Sequence, residues 1–537
     1  MKTNFNMRYV LLVTFVAALG GVLFGYDTAV ISGTTGAIKS FFVDPLIENP
    51  SDAVNVMKEY NAIIVVCFMG VLSLLSYFLF KLYTIKRALL ISVLLLITGG
   101  MIYFHFLRQE GELTVDMANS IRGFTISSAL IGCIIGGALG GVVSSVLGRK
   151  KGLLFAAVLF AISALGSAYP DYMNVFRVEI ISSLILYRII GGVGVGLASI
   201  LTPMYIAEIA PAEYRGRLVS VNQFAVITGM ILVYFVNYHI AGLGDITWLD
   251  TIGWRYMFLS ELIPAALFFV MLFWVPESPR FLVMKGDEKQ AGVVLKKLMG
   301  TMSVAKEILL IKQSLNEKHT HWLSYGSFII VVGIFISFFQ QAVGINVVLY
   351  YAPEIFRSIG ASVNASLLQT IIVGIINMIF TCVAIFTVDK FGRKPLLMIG
   401  ALGMGVCMLS LGFIFYFNVL NLMTLIVMLF YMAFFAMSWG PVAWVFLSEM
   451  YPNSVRSLMA IAVTFQWIFN FIVSWTFPVM NDNIALTYYF NHGFSYWIYG
   501  LMGLLAAVFV WLYLPETKGK SLEDIENLWR RVTKKNK

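Results

Sequence analysis

Charged side chains are scarce in this sequence. They make up 12% of 537 residues, where a soluble domain carries about 25% because its surface must face water. With 59% apolar residues and a mean hydropathy of +0.85, the chain has too little charge to clothe a water-facing exterior. That excludes a soluble globular protein, and most of the outside must meet lipid. Histidine is nearly absent: the five (His105, His239, His319, His321 and His492) are scattered at loops and ends. We therefore expect no metal site, no catalytic constellation and no enzyme. The four cysteines (Cys67, Cys133, Cys382 and Cys407) all fall in apolar runs without metal spacing. They read as small packing residues, not a disulfide framework. No glycine-rich loop ends in Lys-Ser or Lys-Thr, which argues against ATP-driven transport. A cleavable signal peptide is not expected either, because the first apolar run continues from Tyr9 to about Ile31, too long for an h-region.

What the chain has is long apolar runs. Stretches able to cross about 30 Å of hydrocarbon as helix fall near 9–33, 61–81, 87–107, 121–146, 152–169, 180–208, 217–240, 254–275, 326–351, 365–388, 395–417, 422–448, 457–479 and 494–514. That makes fourteen, so the fold class is an all-α membrane protein. The net charge of +9 does not call for nucleic acid as a partner. Its basic residues sit in short segments between spans, the cytoplasmic side of a membrane topology. Segment 276–325 is rich in lysine, as is the tail 515–537, and both read as cytoplasmic, together with both termini. The turns Gly148-Arg149-Lys150-Lys151 and Gly392-Arg393-Lys394 read likewise.

The chain also repeats itself. Gly148-Arg149-Lys150 recurs as Gly392-Arg393-Lys394, an offset of 244. Glu208 with Arg215 recurs as Glu449 with Arg456, an offset of 241. Pro276-Glu277-Ser278 recurs as Pro515-Glu516-Thr517, an offset of 239. Three matches in one order at nearly one offset indicate duplication, and parallel halves about a midplane site are a transporter architecture. The expected organisation is a six-helix half over 1–275, a cytoplasmic helical linker over 276–325, a second six-helix half over 326–514 and a tail over 515–537. The two surplus spans form a hairpin at 61–107, packed at the periphery between the first and second core helices. Its turn carries Lys81, Lys86 and Arg87, while acids flank it on both sides (Asp44, Glu48, Asp52 and Glu59; Glu110, Glu112 and Asp116). Acid–Arg pairs among Glu208, Glu449, Arg149, Arg215, Arg393 and Arg456 would latch the cytoplasmic side shut.

Several motifs together resemble one family. They are Phe24-Gly25-Tyr26-Asp27, the run from Tyr187 to Gly196, Pro203 to Arg217, Asn222-Gln223, Gln340-Gln341 through Asn346, Trp439-Gly440-Pro441, Trp444 and Gln466-Trp467. In these the chain resembles the sugar porter branch of the major facilitator superfamily, over nearly its whole length apart from about residues 40–115. The resemblance implies alternating-access transport of a monosaccharide (D-xylose or a related pentose or hexose) by proton symport. It implies no cofactor beyond a proton gradient, and a monomer in the bacterial inner membrane. The chain departs from the family pattern at four places. Ser145 stands where the superfamily usually has Asp, which leaves the C-half latch at Asp389 the stronger one. After Arg456 the chain reads Ser457-Leu458, one residue short. Met230 stands where the family commonly has a second glutamine. The fourth departure is the extra hairpin.

A sugar is a ring of hydroxyls, each donor and acceptor, so its site calls for amides and an aromatic face. Gln223, Gln340, Gln341, Asn346 and Gln466, with Gly440, Trp444 and Trp467, match the family's sugar site. Spread round a straight helix, Gln340, Gln341 and Asn346 could not share one cavity. Gly344 is therefore expected to break that helix, as Gly440-Pro441 breaks another. Tyr350 and Tyr351 are candidates for an outer gate, with interfacial belt tyrosines as the alternative. Asp27, deep in an apolar span, must be paired or protonated; Arg188 is its expected partner, and together they would couple proton to sugar. Glu261, a second intramembrane acid, would modulate that step or simply pair. The alternatives are a passive facilitator, against which the buried acid argues, and a sugar sensor, against which the short tail argues.

Overall fold

A chain crossing hydrocarbon must satisfy its own backbone N–H and C=O groups, and continuous helix does so within each span. The computed structural model describes residues 6–519 and 529, apart from 109, 212–213, 300–303, 316–320, 420–421, 453–454 and 456–457; at 106 and 389 it describes the backbone alone. Among these residues there are fourteen helices long and apolar enough to span. They are α1 (Met7–Gly33), α2 (Pro50–Leu82), α3 (Ile85–His105), α4 (Val115–Val146), α5 (Arg149–Ala168), α6 (Ile180–Ile209) and α7 (Arg215–Ala241). Then follow α8 (Ile246–Trp274), α9 (Phe328–Ser358), α10 (Val363–Val388), α11 (Arg393–Tyr416), α12 (Leu422–Met450), α13 (Met459–Asn481) and α14 (Gly493–Tyr513). No strand occurs among the described residues.

Helix contacts repeat as the motifs do. In the first half α1 packs on α7, α4 on α6 and α5 on α8; in the second, α9 packs on α13, α10 on α12 and α11 on α14. The halves meet along two matching seams, α4 against α13 and α7 against α10. This is the two-half major facilitator fold. Close approach between α4 and α6 depends on glycine: a Cβ at Gly192 would lie 1.8 Å from the Ala129 carbonyl oxygen, and one at Gly132 would lie 2.0 Å from that of Ile189. Without hydrophobic drive between helices in lipid, such backbone contact supplies packing.

The surplus pair is a helical hairpin, but it begins earlier than the apolar run suggests. α2 starts at Pro50, not near 61, with Pro at its first position and Asp52 in its first turn. Proline there is already set for helix, so the polar segment to Glu59 winds on rather than forming a loop. At 33 residues α2 is about 50 Å long, well beyond the hydrocarbon. Its N-terminal part is fastened to the core. The Tyr60 hydroxyl is 3.0 Å from Ser120 Oγ, its ring packs edge-on against Phe124, and Glu59 accepts from the Glu179 backbone N–H at 2.9 Å. The turn is only Tyr83 and Thr84, with Lys81 ending α2 and Lys86 and Arg87 beginning α3. Of α3 only Ala88 is buried, which puts that helix on the periphery. The polar connection folds into short helices at Pro279–Met284, Glu288–Met299 and Val304–Leu315. The Asn6 backbone N–H reaches the Leu298 carbonyl at 2.9 Å.

Candidate functional site

Asp27 is wholly buried on α1. Arg188 of α6, also buried, donates Nη1 to Asp27 Oδ1 at 2.8 Å and Nη2 to the Asp27 carbonyl at 3.2 Å. A Cβ at Gly191 would sit 3.2 Å from Asp27 Oδ1, so the glycine-rich face of α6 leaves room for the carboxylate. Glu261 lies in a two-residue interruption of α8, fully buried, with its side chain brought up to Asp27. Neither oxygen of Glu261, nor Asp27 Oδ2, finds a donor among the protein's fixed groups. Two carboxylates offer lone pairs and no hydrogen, so a bond between them requires a proton on one. Beside one guanidinium, the pair is a place where a proton can be held.

Three of the amides, Gln340, Gln341 and Asn346, gather at a broken helix of the second half. α9 stops at Ala342, passes Gly344 at φ 88° and resumes at Ile345. The break folds Asn346 back so that its Nδ2 donates to Gln341 Oε1 at 2.5 Å. α12 breaks likewise between Met437 and Pro441, with Gly440 as the cap. Gln340 Nε2 donates to the freed Trp439 carbonyl at 2.9 Å, tying one break to the other. Its Oε1, with Gln466 Oε1 and Trp467 Nε1, is buried and unpartnered in the protein. Buried polar atoms are almost always bonded, and this surplus of donor and acceptor suits a polyhydroxyl ligand. The Trp467 ring reaches across the halves to Phe24 at 5.7 Å. Trp444 and Gln223 are half-buried, the latter on α7 of the first half. Met230, on the same helix, packs with the apolar core. Asn470 and Trp439, both buried here, were not singled out as site residues.

Tyr350 and Tyr351 are both buried within the protein. Tyr351 donates to the Ser474 carbonyl at 2.9 Å and packs on Phe477.

Two acid–arginine pairs join neighbouring helix ends. Arg149 pairs with Glu208 at 2.7 Å and Arg393 with Glu449 at 2.7 Å. Each pair joins two helices of one half, so among the described residues these pairs brace the Arg-Lys end of each half and do not bridge the halves. Arg215 is exposed and has no ion pair among the described residues; the Glu208 carboxylate is already occupied by Arg149 and the Ser278 hydroxyl. Arg456 and the Asp389 side chain lie outside the described residues. Ser145 is exposed and donates back to the Val142 carbonyl of its own helix, so it takes no part in a latch. The repeated Pro-Glu motif turns out to belong here. Glu277 accepts from the N–H groups of Arg149 and Lys150, and Glu516 from those of Arg393 and Lys394. Each carboxylate thus covers free N–H groups at a helix N-terminus. The Thr517 hydroxyl repeats for Glu449 what Ser278 does for Glu208. The signal that would have found them was the repeat itself.

Two parallel halves, broken helices lined with amides and a buried acid–arginine site define a secondary transporter, not an enzyme. The chain belongs to the sugar transporter family: the family described as "Sugar (and other) transporter" matches residues 13–529. The D-xylose-proton symporter of Escherichia coli K12 is 49% identical, covering 100% of this chain and 99% of its own. The glucose facilitated diffusion protein of Zymomonas mobilis is 38% identical over 82% of this chain and 94% of its own. Among solved structures, the inward-open xylose transporter XylE from E. coli superposes with a TM-score of 0.77 at 48% identity, over 97% of this chain and 100% of that one.

Proposed function

We propose that this protein is a proton-coupled symporter of a monosaccharide, D-xylose or a related pentose or hexose, working by alternating access in a bacterial inner membrane. The observation that carries the coupling is the buried Asp27–Arg188 pair with Glu261 beside it. Charge at that depth is costly unless it is neutralised, and a carboxylate poised between Arg188 and a second acid exchanges one neutralising partner, the arginine, for another, a proton. The sugar is held nearer the second half, by Gln340, Gln341, Asn346, Trp444, Gln466 and Trp467 with the backbone at Gly440, and Gln223 reaches across from the first half. Tyr350 and Tyr351 close over it. The divisions 1–275, 276–325, 326–514 and 515–537 mark the two halves, the linker and the tail. Both termini and the linker face the cytoplasm, a reading supported by the even number of spans and by the contact of Asn6 with Leu298. The chain acts as a monomer surrounded by lipid and needs no cofactor besides the proton gradient.

The relative named for facilitated diffusion keeps one rival reading, a uniporter. Purified protein in liposomes, given labelled xylose, glucose and arabinose, decides between them. Symport predicts accumulation above equilibrium with an inward proton gradient and its loss with a protonophore. Equal, equilibrating uptake with and without the gradient would replace symport with facilitation.

A further inference from the structure

At the ends of the helices opposite the Arg-Lys turns lies a second buried ion cluster, and this one spans the seam. Arg122, on α4 of the first half, is 1% exposed. It pairs with Glu354 of α9 and, through Nη1 at 3.1 Å, with Asp482 just beyond α13, both in the second half. Asn119 Nδ2 donates to the Asp482 carbonyl at 3.2 Å, and Trp475 Nε1 of α13 donates to the Ser120 carbonyl at 3.0 Å. A Cβ at Gly123 would fall 2.3 Å from the Trp475 carbonyl oxygen, so the two backbones touch here. Beside the ions is a cavity of about 100 Å³ bounded also by Tyr351, Tyr496 and His492, whose Nδ1 lies 3.9 Å from Asp482.

From this we infer that Arg122, Glu354 and Asp482 form the lock that holds the outer entrance shut, making Arg122 a further residue of the transport cycle. The Arg149–Glu208 and Arg393–Glu449 pairs each lie within one half, so rocking of one half against the other leaves them intact. Both pairs of Arg122 cross the seam, so opening the outer end must break both at once. Among the described residues no other ion pair joins the halves. Arg122 sits about 36 Å along α4 from its inner end at Val146, the right leverage for a gate at the opposite face. A guanidinium shut away from water needs its carboxylates, whereas Glu354 and Asp482 are each about a third exposed (35% and 29%). Water can therefore enter beside them, and the lock can open without first baring a dry charge. The lock rests on the alternating-access reading, but on neither the identity of the sugar nor proton coupling.

The test is a reporter cysteine at Ser474, buried on α13 beneath the lock, in a protein with the four native cysteines replaced. Intact cells are exposed to a membrane-impermeant thiol reagent. Arg122→Leu leaves two carboxylates unneutralised at the seam and is expected to raise the labelling rate roughly five-fold or more. Asp482→Asn, a milder change that keeps the fold if Arg122→Leu does not, should raise it less. Combining Arg122→Asp with Asp482→Arg should return it towards the parent rate. Parent-like labelling in Asp482→Asn, or no reversal in the swap, overturns the lock. Sugar uptake by the unmutated protein is measured alongside. Normal uptake with unchanged labelling discards the lock alone, and absent uptake with altered labelling discards the transport reading while keeping the hinge between halves.

Discussion

Asp27 is a carboxylate with one oxygen bonded to Arg188 and the other with no donor from the protein. If it carries the coupling proton, Asp27→Asn removes the charge and keeps the shape. Accumulation of sugar against its gradient should vanish, while equilibrium exchange across the same liposomes persists. A variant that still concentrates sugar would move coupling elsewhere. Gln340 presents the contrasting case of a neutral side chain with one atom committed and one free. Its Nε2 holds the Trp439 carbonyl and its Oε1 has no partner. Gln340→Ala should weaken sugar binding by about 1–3 kcal/mol, since a buried hydroxyl left unpaired costs that much; calorimetry reads it directly. Met230 packs with the apolar core at a position where the family resemblance leads one to expect glutamine. Met230→Gln should change the ratio of xylose to glucose affinity, because it adds a donor and an acceptor to an apolar surface. An unchanged ratio would place residue 230 out of reach of the sugar.

Among the elements, α9 and α12 are broken where sequence alone suggests a break, at Gly344 and at Gly440-Pro441. The reason is local. A left-handed turn favours glycine, and proline has no N–H to continue the ladder. What lies beyond local reach is the joining of the two breaks by Gln340, since the partners are 99 residues apart. The extra hairpin teaches the opposite lesson. Its existence was plain from two charge-poor runs, but its first helix begins at Pro50, ahead of the apolar run, because hydropathy marks where lipid begins, not where helix begins. By the positive-inside rule, the basic residues at its turn (Lys81, Lys86 and Arg87) predict that Thr84 faces the cytoplasm. A cysteine at Thr84, in a background without native cysteines, should react with an impermeant thiol reagent only after the membrane is opened. Labelling from outside intact cells would invert the hairpin.

In the whole molecule, duplication sets the frame, and the Arg-Lys ends of both halves are braced by the same four-part device of arginine, two glutamates and a hydroxyl. The second copy has a pH signature. Partial burial raises the Glu516 carboxyl, but backbone N–H groups of Lys518, Arg393 and Lys394 outweigh that and hold it below its ordinary 4.5. A depressed folded value stabilises above the unfolded value and is lost as pH falls through the folded one. Detergent-solubilised Glu516→Gln should therefore melt lower than the parent at neutral pH, by an amount worth about 0.5 kcal/mol at a partly exposed helix end. The difference should close as the pH drops below 4.5. A gap that stays constant on acidification would remove the charge from the account.

Membrane residence, the number of spans, the repeat and the buried acid were all legible in the sequence, because each is a matter of composition or spacing along one helix. So were the amides, though not which of their atoms would be tied to backbone and which left free. The partners of charged groups were not legible. Glu208 has two candidate arginines in the sequence, Arg149 and Arg215, and folding pairs it with Arg149; Arg122 drew no notice until folding set it against Glu354 and Asp482, more than 200 residues away. A helix end can be read from its own few residues, but the charge that meets it comes from whichever helix the packing brings alongside. Only tertiary structure decides that, because ion pairing acts over a few ångströms in space regardless of separation along the chain.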